Sequence, residues 1–564
     1  MREKSRTKAR SNSGSKRRAL SLSHTATAVE PAEGPQQHQS KPAPSFASAV
    51  QTTVEQGTPL PSSQSRIPLS PQQQTVIEWV RAGVGSAFVQ ARAGSGKTFT
   101  LTAAVRQMSG SVALTAFNKK IAEELKYKLS DLPGVRVGTF HSFGFAAWRR
   151  VAKNVSVNAQ QKDRAMMVAA GVPKPMESAV RRLVSLAKQS VVGLAWAIDD
   201  QEIWNQIIDH HSILLNAPAT TNDEQMTQDL IAYAIRGLHY AREQGRGLID
   251  FDDMLWLPLV EDVATFQNDW VLVDESQDTN VARRMMAAKM LKPRGRSLWV
   301  GDDRQAIYGF AGADASAVQE IVDRFDCQLL PLTVTFRCSK SATRLAQSYV
   351  PDITPHESNR DGEVVHVSAS TFIESFIKNR GIHLGDAILC RNTRPLVDLA
   401  FRLIRNGIGC HVEGRDIGNQ LENLVTRWKV DTVQELFARL VEYRMQETER
   451  LIKREAEHLI DMLNDRIETI FILADGLSTV EQLVAKINSL FQDTDAREGR
   501  NRVTLSTIHR YKGRESDRVF ILGWGKYLPS KFARQEWELE QERNLAYVAV
   551  TRTRDKLYLV EALD

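Results

Sequence analysis

Residues 91–98 read ARAGSGKT, a small-residue loop that ends in Gly-Lys-Thr. An apolar run, SAFVQ (86–90), precedes it, and a helix-compatible run, FTLTAAVRQM, follows it. Strand, glycine-rich loop and helix in that order make a phosphate cradle. Small residues let backbone N–H groups close around an anion, and the helix N-terminus adds the positive end of its dipole. Ala91, Arg92, Ala93, Gly94, Ser95 and Gly96 would form the cradle. Lys97 would reach the β- and γ-phosphates of ATP, and the Thr98 hydroxyl would hold Mg²⁺. The general pattern has glycine where this chain has Ala91.

Hydrolysis also needs carboxylates. In VLVDESQD (271–278) an apolar strand delivers Asp274 and Glu275 at its carboxyl end, where open α/β sheets bind ligands. Asp274 is placed to hold Mg²⁺, and Glu275 to orient and deprotonate an attacking water. A second such strand ends in GDDRQ, which puts Gln305 beside the γ-phosphate. Two arginines lie far downstream, Arg337 in LTVTFRC and Arg552 in YVAVTRTR. Guanidinium groups suit a spreading transition-state charge, because they are planar and keep their proton. They reach the same phosphates only if a second α/β unit faces the first across a cleft. ATP would then close the cleft and hydrolysis would release it. Singly, each arginine is more often a surface ion pair; the set carries the argument.

Elements must hold these groups in place. Ser70 is a good N-cap and Pro71 suits a first helical turn, so a helix is predicted through QQQTVIEWV. SVALTAF (111–117) reads as a strand, NKKIAEELKYKL as an amphipathic helix, and RVGTFHSFG as a strand and loop. From about 145 to 243 the pattern is helical, without strand alternation, as in an insertion. WVLVDESQD and SLWVGDDRQ restore the sheet. GEVVHVS, DAILCR, VTLSTIH, DRVFILG and KLYLVE form a second α/β set. It is interrupted between 423 and about 500 by VQELFARLVEYRMQETERLIKREAEHLIDML, read as packed helices with a solvated face.

A chain of 564 residues exceeds one core, and three or four domains are expected. Charged residues are 25% and hydrophobic ones 42%, as in soluble globular proteins, and no apolar run reaches bilayer length. Cys327, Cys338, Cys390 and Cys410 lack paired zinc spacing and suit a reducing compartment. Residues 1–18 hold eight Lys or Arg against one Glu, a local +7; with a net charge of +6, the rest sums to −1. Any basic groove in the folded part must therefore come from local arrangement. Residues 1 to about 65, rich in Ser, Gln, Pro, Thr and Ala, are expected to be disordered. The basic start could grip phosphates or stand as a solvated tail, and its Arg- and Ser-rich, acid-poor composition also resembles a transit peptide. No apolar core of a secretory signal follows it.

Taken together, the motifs resemble those of superfamily 1 helicases of the UvrD, Rep and PcrA type, in order, from about residue 67 onward. LSPQQQ resembles the Q motif, and ARAGSGKT matches the family's loop, where alanine at the first position is usual. LTAFNKK and GTFHSF resemble motifs Ia and Ib, and IDFDDML (249–255) resembles the segment before the Walker B strand. VDESQD, GDDRQAIYGFAGA, LTVTFR, TIHRYKGRES and ERNLAYVAVTRTR resemble motifs II to VI.

The resemblance implies an α/β fold of two RecA-like parallel-sheet P-loop domains, each with a helical insertion. It divides the chain into a tail (1–65), a first domain (66–144 and 246–330) with a helical insertion (145–245), and a second domain (331–424 and 501–564) with a short insertion (425–500). It implies that Gln73 reads the adenine edge, that Phe336 stacks on adenine and that Glu515 lies near the ribose. Gln305 would couple the γ-phosphate to DNA, with Arg337 and Arg552 as arginine fingers. Phe117, Asn118, His141, Tyr308 and Phe310 fall where the family contacts or stacks single-stranded bases. Such stacking tolerates any sequence, because every base has a π-face.

Two departures stand out. Ala311 replaces a common arginine after YGF, and Arg514 and Ser516 replace apolar residues around Glu515. The expected activity is an ATP- and Mg²⁺-dependent DNA helicase or translocase moving 3′ to 5′ in repair, recombination or replication. The alternative is an ATP-gated DNA-binding subunit of a larger assembly with little unwinding alone. Expected partners are single-stranded DNA and single-strand/duplex junctions, with protein partners through the tail or insertions, and no membrane. The expected location is cytoplasmic and nucleoid-associated, with organelle targeting as a minor alternative. With twelve residues after Arg552, no appended nuclease domain is expected.

Overall fold

Helix α1 (Pro71–Ala82) starts on a capping box: Ser70 accepts from the Gln73 backbone while the Gln73 side chain accepts from the Ser70 backbone. It lies near the start of a computed structural model that describes residues 68–211, 213, 223–307, 317–453, 458–490, 502–534 and 536–563. The basic tail, Tyr308, Phe310, Ala311 and residues 491–501 lie outside the described residues.

Six strands build the first sheet: β1 (Ser86–Ala91), β2 (Val112–Thr115), β3 (Val135–Gly138), β4 (Asn268–Val273), β5 (Leu291–Gly301) and β6 (Cys327–Leu332). Their order is β3-β2-β4-β5-β1-β6, and every pairing is parallel. Strands in such a sheet are buried on both faces, which explains their unbroken apolar runs. Alternate residues take opposite sides. Val89, Leu272, Leu298 and Val300 pack with α1, α2 (Lys97–Val105) and α3 (Lys119–Lys128). Phe88, Val271, Val273 and Trp299 pack with the helices of the first insertion.

The chain enters that insertion through α4 (Phe140–Trp148); α5 (Ala159–Ala169), α6 (Glu177–Gln189), α7 (Gln201–His210) and α8 (Asp223–Gln244) lie within it, and α9 (Asp253–Val260) follows it. Two sequence expectations change here. The segment after β3 is helix rather than loop: Thr139 caps it by accepting from the Ser142 backbone, and helix begins at Phe140. The insertion also carries a two-residue strand, Ser156–Val157, paired with Leu248–Ile249, too short to show periodicity. The insertion is tied to the α9 junction by buried charge. Lys188 reaches Asp253 at 2.8 Å and Asp250 at 2.5 Å, and Lys162 reaches Asp253 at 3.1 Å.

The second sheet uses β7 (Glu363–Val367), β8 (Ala387–Cys390), β9 (Cys410–Val412), β10 (Val503–Thr507), β11 (Ser516–Leu522) and β12 (Thr553–Val560). Its order is β7-β12-β11-β8-β10-β9, again all parallel. The short edge strand β9 and the first sheet's β6 were not read from sequence. One face packs against α10 (Arg394–Arg405) and against the helices of the second insertion, α11 (Val433–Lys453), α12 (His458–Ala474) and α13 (Val480–Leu490). The long amphipathic run is thus a pair of packed helices, as expected, and it shares one core with the sheet. The other face packs under α14 (Glu536–Val550), whose Leu545, Tyr547 and Val548 join Ala93 and Ile307 of the first unit. Among the described residues no helix is long and apolar enough to cross a membrane, and no group of metal-binding side chains of the His, Cys, Asp or Glu type is present.

Candidate active site

The phosphate loop joins the end of β1 to the start of α2. Gly94 (φ +76°) and Gly96 (φ +84°) hold left-handed backbone, where a side chain is strained. A Cβ on Gly94 would lie 2.5 Å from the Arg337 Cβ and the Thr335 Oγ1, so a downstream segment presses on the loop. Gly96 caps α2 without a side-chain hydrogen bond, leaving the helix N-terminus for a ligand. The Ser95 hydroxyl is buried with no hydrogen-bond partner. These features fit a chain of phosphates. Ala91 is the last residue of β1 and Ala93 opens the loop, and both are fully buried.

Arg92 departs from the expectation for the cradle. Its guanidinium holds Asp302 at 3.0 Å, Asp303 at 2.6 Å and Asp352 at 2.9 Å, so its side chain braces the loop from behind. Gln73 stands beside the loop, its Nε2 donating to the Ser95 carbonyl at 3.3 Å. Its amide oxygen is held in the capping box.

Lys97 Nζ lies 2.9 Å from Glu275 Oε2. Burial and the charge of Glu275 push Asp274 above the usual carboxylate range, to about 7. Burial would raise Glu275 too, but Lys97 and Lys512 hold it down, at about 2. Glu275 therefore stays ionised, as a base must. Its backbone is left-handed (φ +50°), a strained conformation for a non-glycine residue that is typical of functional sites. Thr98, in the first turn of α2, and Asp274 supply hard oxygen donors suited to Mg²⁺.

Gln305 is the meeting point of the two units. Its Nε2 donates to Asp302 Oδ2 at 2.7 Å, and its Oε1 accepts from Arg552 Nη2 at 3.4 Å. Its backbone carbonyl accepts from Lys512 Nζ at 2.7 Å, and Lys512 also pairs with Asp278 at 2.7 Å. Arg552 is fully buried, and burial together with the nearby Arg337 lowers it to about 10. Two guanidinium groups thus face one region, where an anion would relieve their repulsion. Arg337 is meanwhile held by Glu515, which sits at the same mouth. The Phe336 backbone donates to the Gly94 carbonyl at 2.9 Å. Its ring is 42% exposed and rests on His356, leaving a face open to a base.

The remaining expected residues continue along the same carboxyl rim of the first sheet. Phe117 is 43% exposed just past β2. The Asn118 side chain is committed to capping α3, accepting from the Ile121 backbone at 2.9 Å. His141 lies in the first turn of α4, and burial and Arg283 lower it to about 4, so it is neutral near pH 7. Because β4 and β5 lie between β2 and β1, Asp274, Glu275 and Gln305 separate these residues from the phosphate loop.

Sequence reasoning passed over Lys512, Asp278, Asp302 and Tyr547, although each lies inside a motif that had been singled out. It also passed over the carboxyl rim of the second sheet. There a cavity of about 540 Å³ is lined by Thr393, Thr507, His509, Arg466 and Trp537. No spacing rule could pair residues that follow β8, end or follow β10, and stand on α12 and α14.

Two family models match the chain: the UvrD/REP helicase N-terminal domain over residues 69–326, and the UvrD-like helicase C-terminal domain over residues 416–563. Relatives resemble it over nearly full length. ATP-dependent DNA helicase Rep of Escherichia coli (strain K12) is 22% identical, over 87% of this chain and 90% of its own. ATP-dependent DNA helicase PcrA of Bacillus subtilis (strain 168) is 23% identical, over 89% and 84%. ATP-dependent DNA helicase UvrD1 of Mycobacterium tuberculosis (strain ATCC 25618 / H37Rv) is 23% identical, over 90% and 83%.

Proposed function

The chain belongs to the UvrD-like helicase family and is an ATP-dependent DNA helicase, and we propose that it is a Mg²⁺-dependent motor that moves 3′ to 5′ along single-stranded DNA. The observation that carries the motor reading is the contact of Arg552 with Gln305, which joins the second unit to the strand ends that hold the phosphate loop and the carboxylates.

In this reading ATP lies on the loop of residues 93–98, with Lys97 and the N-terminus of α2 on its phosphates. Thr98 and Asp274 would hold Mg²⁺, which would supply charge neutralisation at the phosphates. Lys97 leaves Glu275 for the phosphates, which frees Glu275 to take a proton from water. Arg337 leaves Glu515, and Arg337 and Arg552 meet the charge on the transferring phosphoryl group. Phe336 stacks on the adenine, with Gln73 at its edge and Glu515 near the ribose. ATP thereby draws the two units together, and hydrolysis releases them.

DNA crosses both carboxyl rims: Phe117, Asn118 and His141 on the first sheet, and the cavity beside Thr507 and His509 on the second. Tyr308 and Phe310 belong to this track by motif. His141, neutral, serves by hydrogen bonding or stacking rather than by charge. The domain limits given above follow the same family outline, and repair, recombination or replication is the pathway class it suits.

Tailed duplexes test the polarity. Unwinding should require a 3′ single-stranded tail. Unwinding confined to 5′ tails would overturn the direction, and strong ATPase without unwinding on either tail would favour an ATP-gated DNA-binding subunit.

A further inference from the structure

Tyr547 belongs to the second unit, yet its hydroxyl lies against the phosphate loop of the first. It is fully buried on α14. The hydroxyl accepts from the Ala93 backbone N–H at 2.9 Å and donates to Asp302 Oδ2 at 3.2 Å. The same Oδ2 accepts from Gln305 Nε2 at 2.7 Å. Asp302 Oδ1 is taken by Arg92 at 3.0 Å. A relay therefore runs from the loop backbone through Tyr547 and Asp302 to Gln305, and from Gln305 to Arg552, five residues beyond Tyr547 in the chain. None of the nucleotide-site roles assigned above uses Tyr547.

We propose that Tyr547 is a positioning residue for ATP hydrolysis: its hydroxyl sets the phosphate loop and Gln305 in register with Arg552 when the second unit is seated. This rests on the ATPase reading above and deepens it. A phenol has one proton to give and lone pairs to accept with, and here both capacities are used across the cleft. The phenol remains a donor, because burial and the charge of Asp302 keep its proton on. If the units separate, the Ala93 N–H and the Asp302 carboxylate lose this partner together. Loop geometry and Gln305 orientation thus depend on one atom of the opposite unit. Tyr547 acts through Asp302 and Gln305 and does not touch the reacting phosphate.

The test is Tyr547→Phe in the full chain, which removes one oxygen and keeps the ring. With saturating single-stranded DNA, kcat for ATP hydrolysis should fall about tenfold while KM for ATP shifts far less, as expected for a lost buried hydrogen bond that positions rather than binds. In a Gln305→Ala background the same substitution should cost a smaller factor, since one of the two arms of the relay ends at Gln305. In nucleotide-free protein, the Ala93 amide should exchange faster in Tyr547→Phe than in the wild type. Wild-type kcat in Tyr547→Phe, an equal proportional loss in both backgrounds, or unchanged Ala93 exchange would each overturn the proposal. If Tyr547→Phe does not fold, Asp302→Asn probes the same relay from its centre, and wild-type kcat in that variant overturns it. A wild type that shows no DNA-stimulated ATPase is a different failure: it removes the helicase reading before any substitution is made.

Discussion

Arg552 Nη2 donates to Gln305 Oε1 across 3.4 Å, joining two residues 247 positions apart in sequence. One stands at the carboxyl end of a strand in the first sheet, and the other precedes the last strand of the second. Such a contact lets the relative position of two units respond to the charge state of a nucleotide between them.

Arg552→Ala should lower kcat by on the order of 10³ while leaving nucleotide affinity within a few fold, as for other arginines that meet transition-state charge. Stopped-flow binding of a fluorescent nucleotide and steady-state ATPase separate the two effects. A loss confined to affinity would place Arg552 in binding alone.

Lys97→Ala should abolish turnover, because the lysine carries the positive charge to the γ-phosphate. Glu275→Gln should keep ATP and DNA binding and stop hydrolysis, measured as retained filter binding with no phosphate release. Normal hydrolysis by Glu275→Gln would mean another group takes the proton.

Phe336→Ala should weaken ATP binding by about tenfold, since one aromatic–base stack is worth about 1–3 kcal/mol. The affinity for inorganic triphosphate, which has no base, should not change. Equal losses for both ligands would show that Phe336 merely shapes the loop through its backbone contact with Gly94.

Asp252 predicts a stability change away from the nucleotide. Burial and the neighbouring Asp250 push its carboxyl up to about 6. Between the ordinary carboxylate pKa and that value the folded state holds a proton that the unfolded state has released. Stability contributed by this group therefore falls as pH rises through that window, and the penalty persists above it. Asp252→Asn should stabilise the protein by about 1–2 kcal/mol at pH 7.5 and by almost nothing near pH 4. Urea unfolding at the two pH values reads this directly. An equal effect at both would remove the charge explanation.

The motif residues were legible because their roles depend on local order: a loop between strand and helix, or a carboxylate at a strand end. Lys97, Asp274, Glu275 and Gln305 fall where strand–loop–helix order puts them. Arg92 misled because its backbone belongs to the loop while its side chain answers to Asp302, Asp303 and Asp352, which only folding brings near. Asn118 was expected only as a DNA contact, and the hydrogen bond its side chain makes here is the cap of α3. Tyr547 looked like one more apolar residue in AYVAV, because its partner is a backbone N–H 454 positions away. The helix at Phe140 was missed because GTFHSFG is rich in glycine and aromatic residues, and tertiary packing against α9 outweighs that weak propensity.

The most direct measurement is the ATP hydrolysis rate of the full chain with and without single-stranded DNA, in Mg²⁺. A motor that couples these two sheets predicts a rate that rises manyfold with DNA and vanishes in Lys97→Ala. An identical rate in the presence and absence of DNA would contradict it.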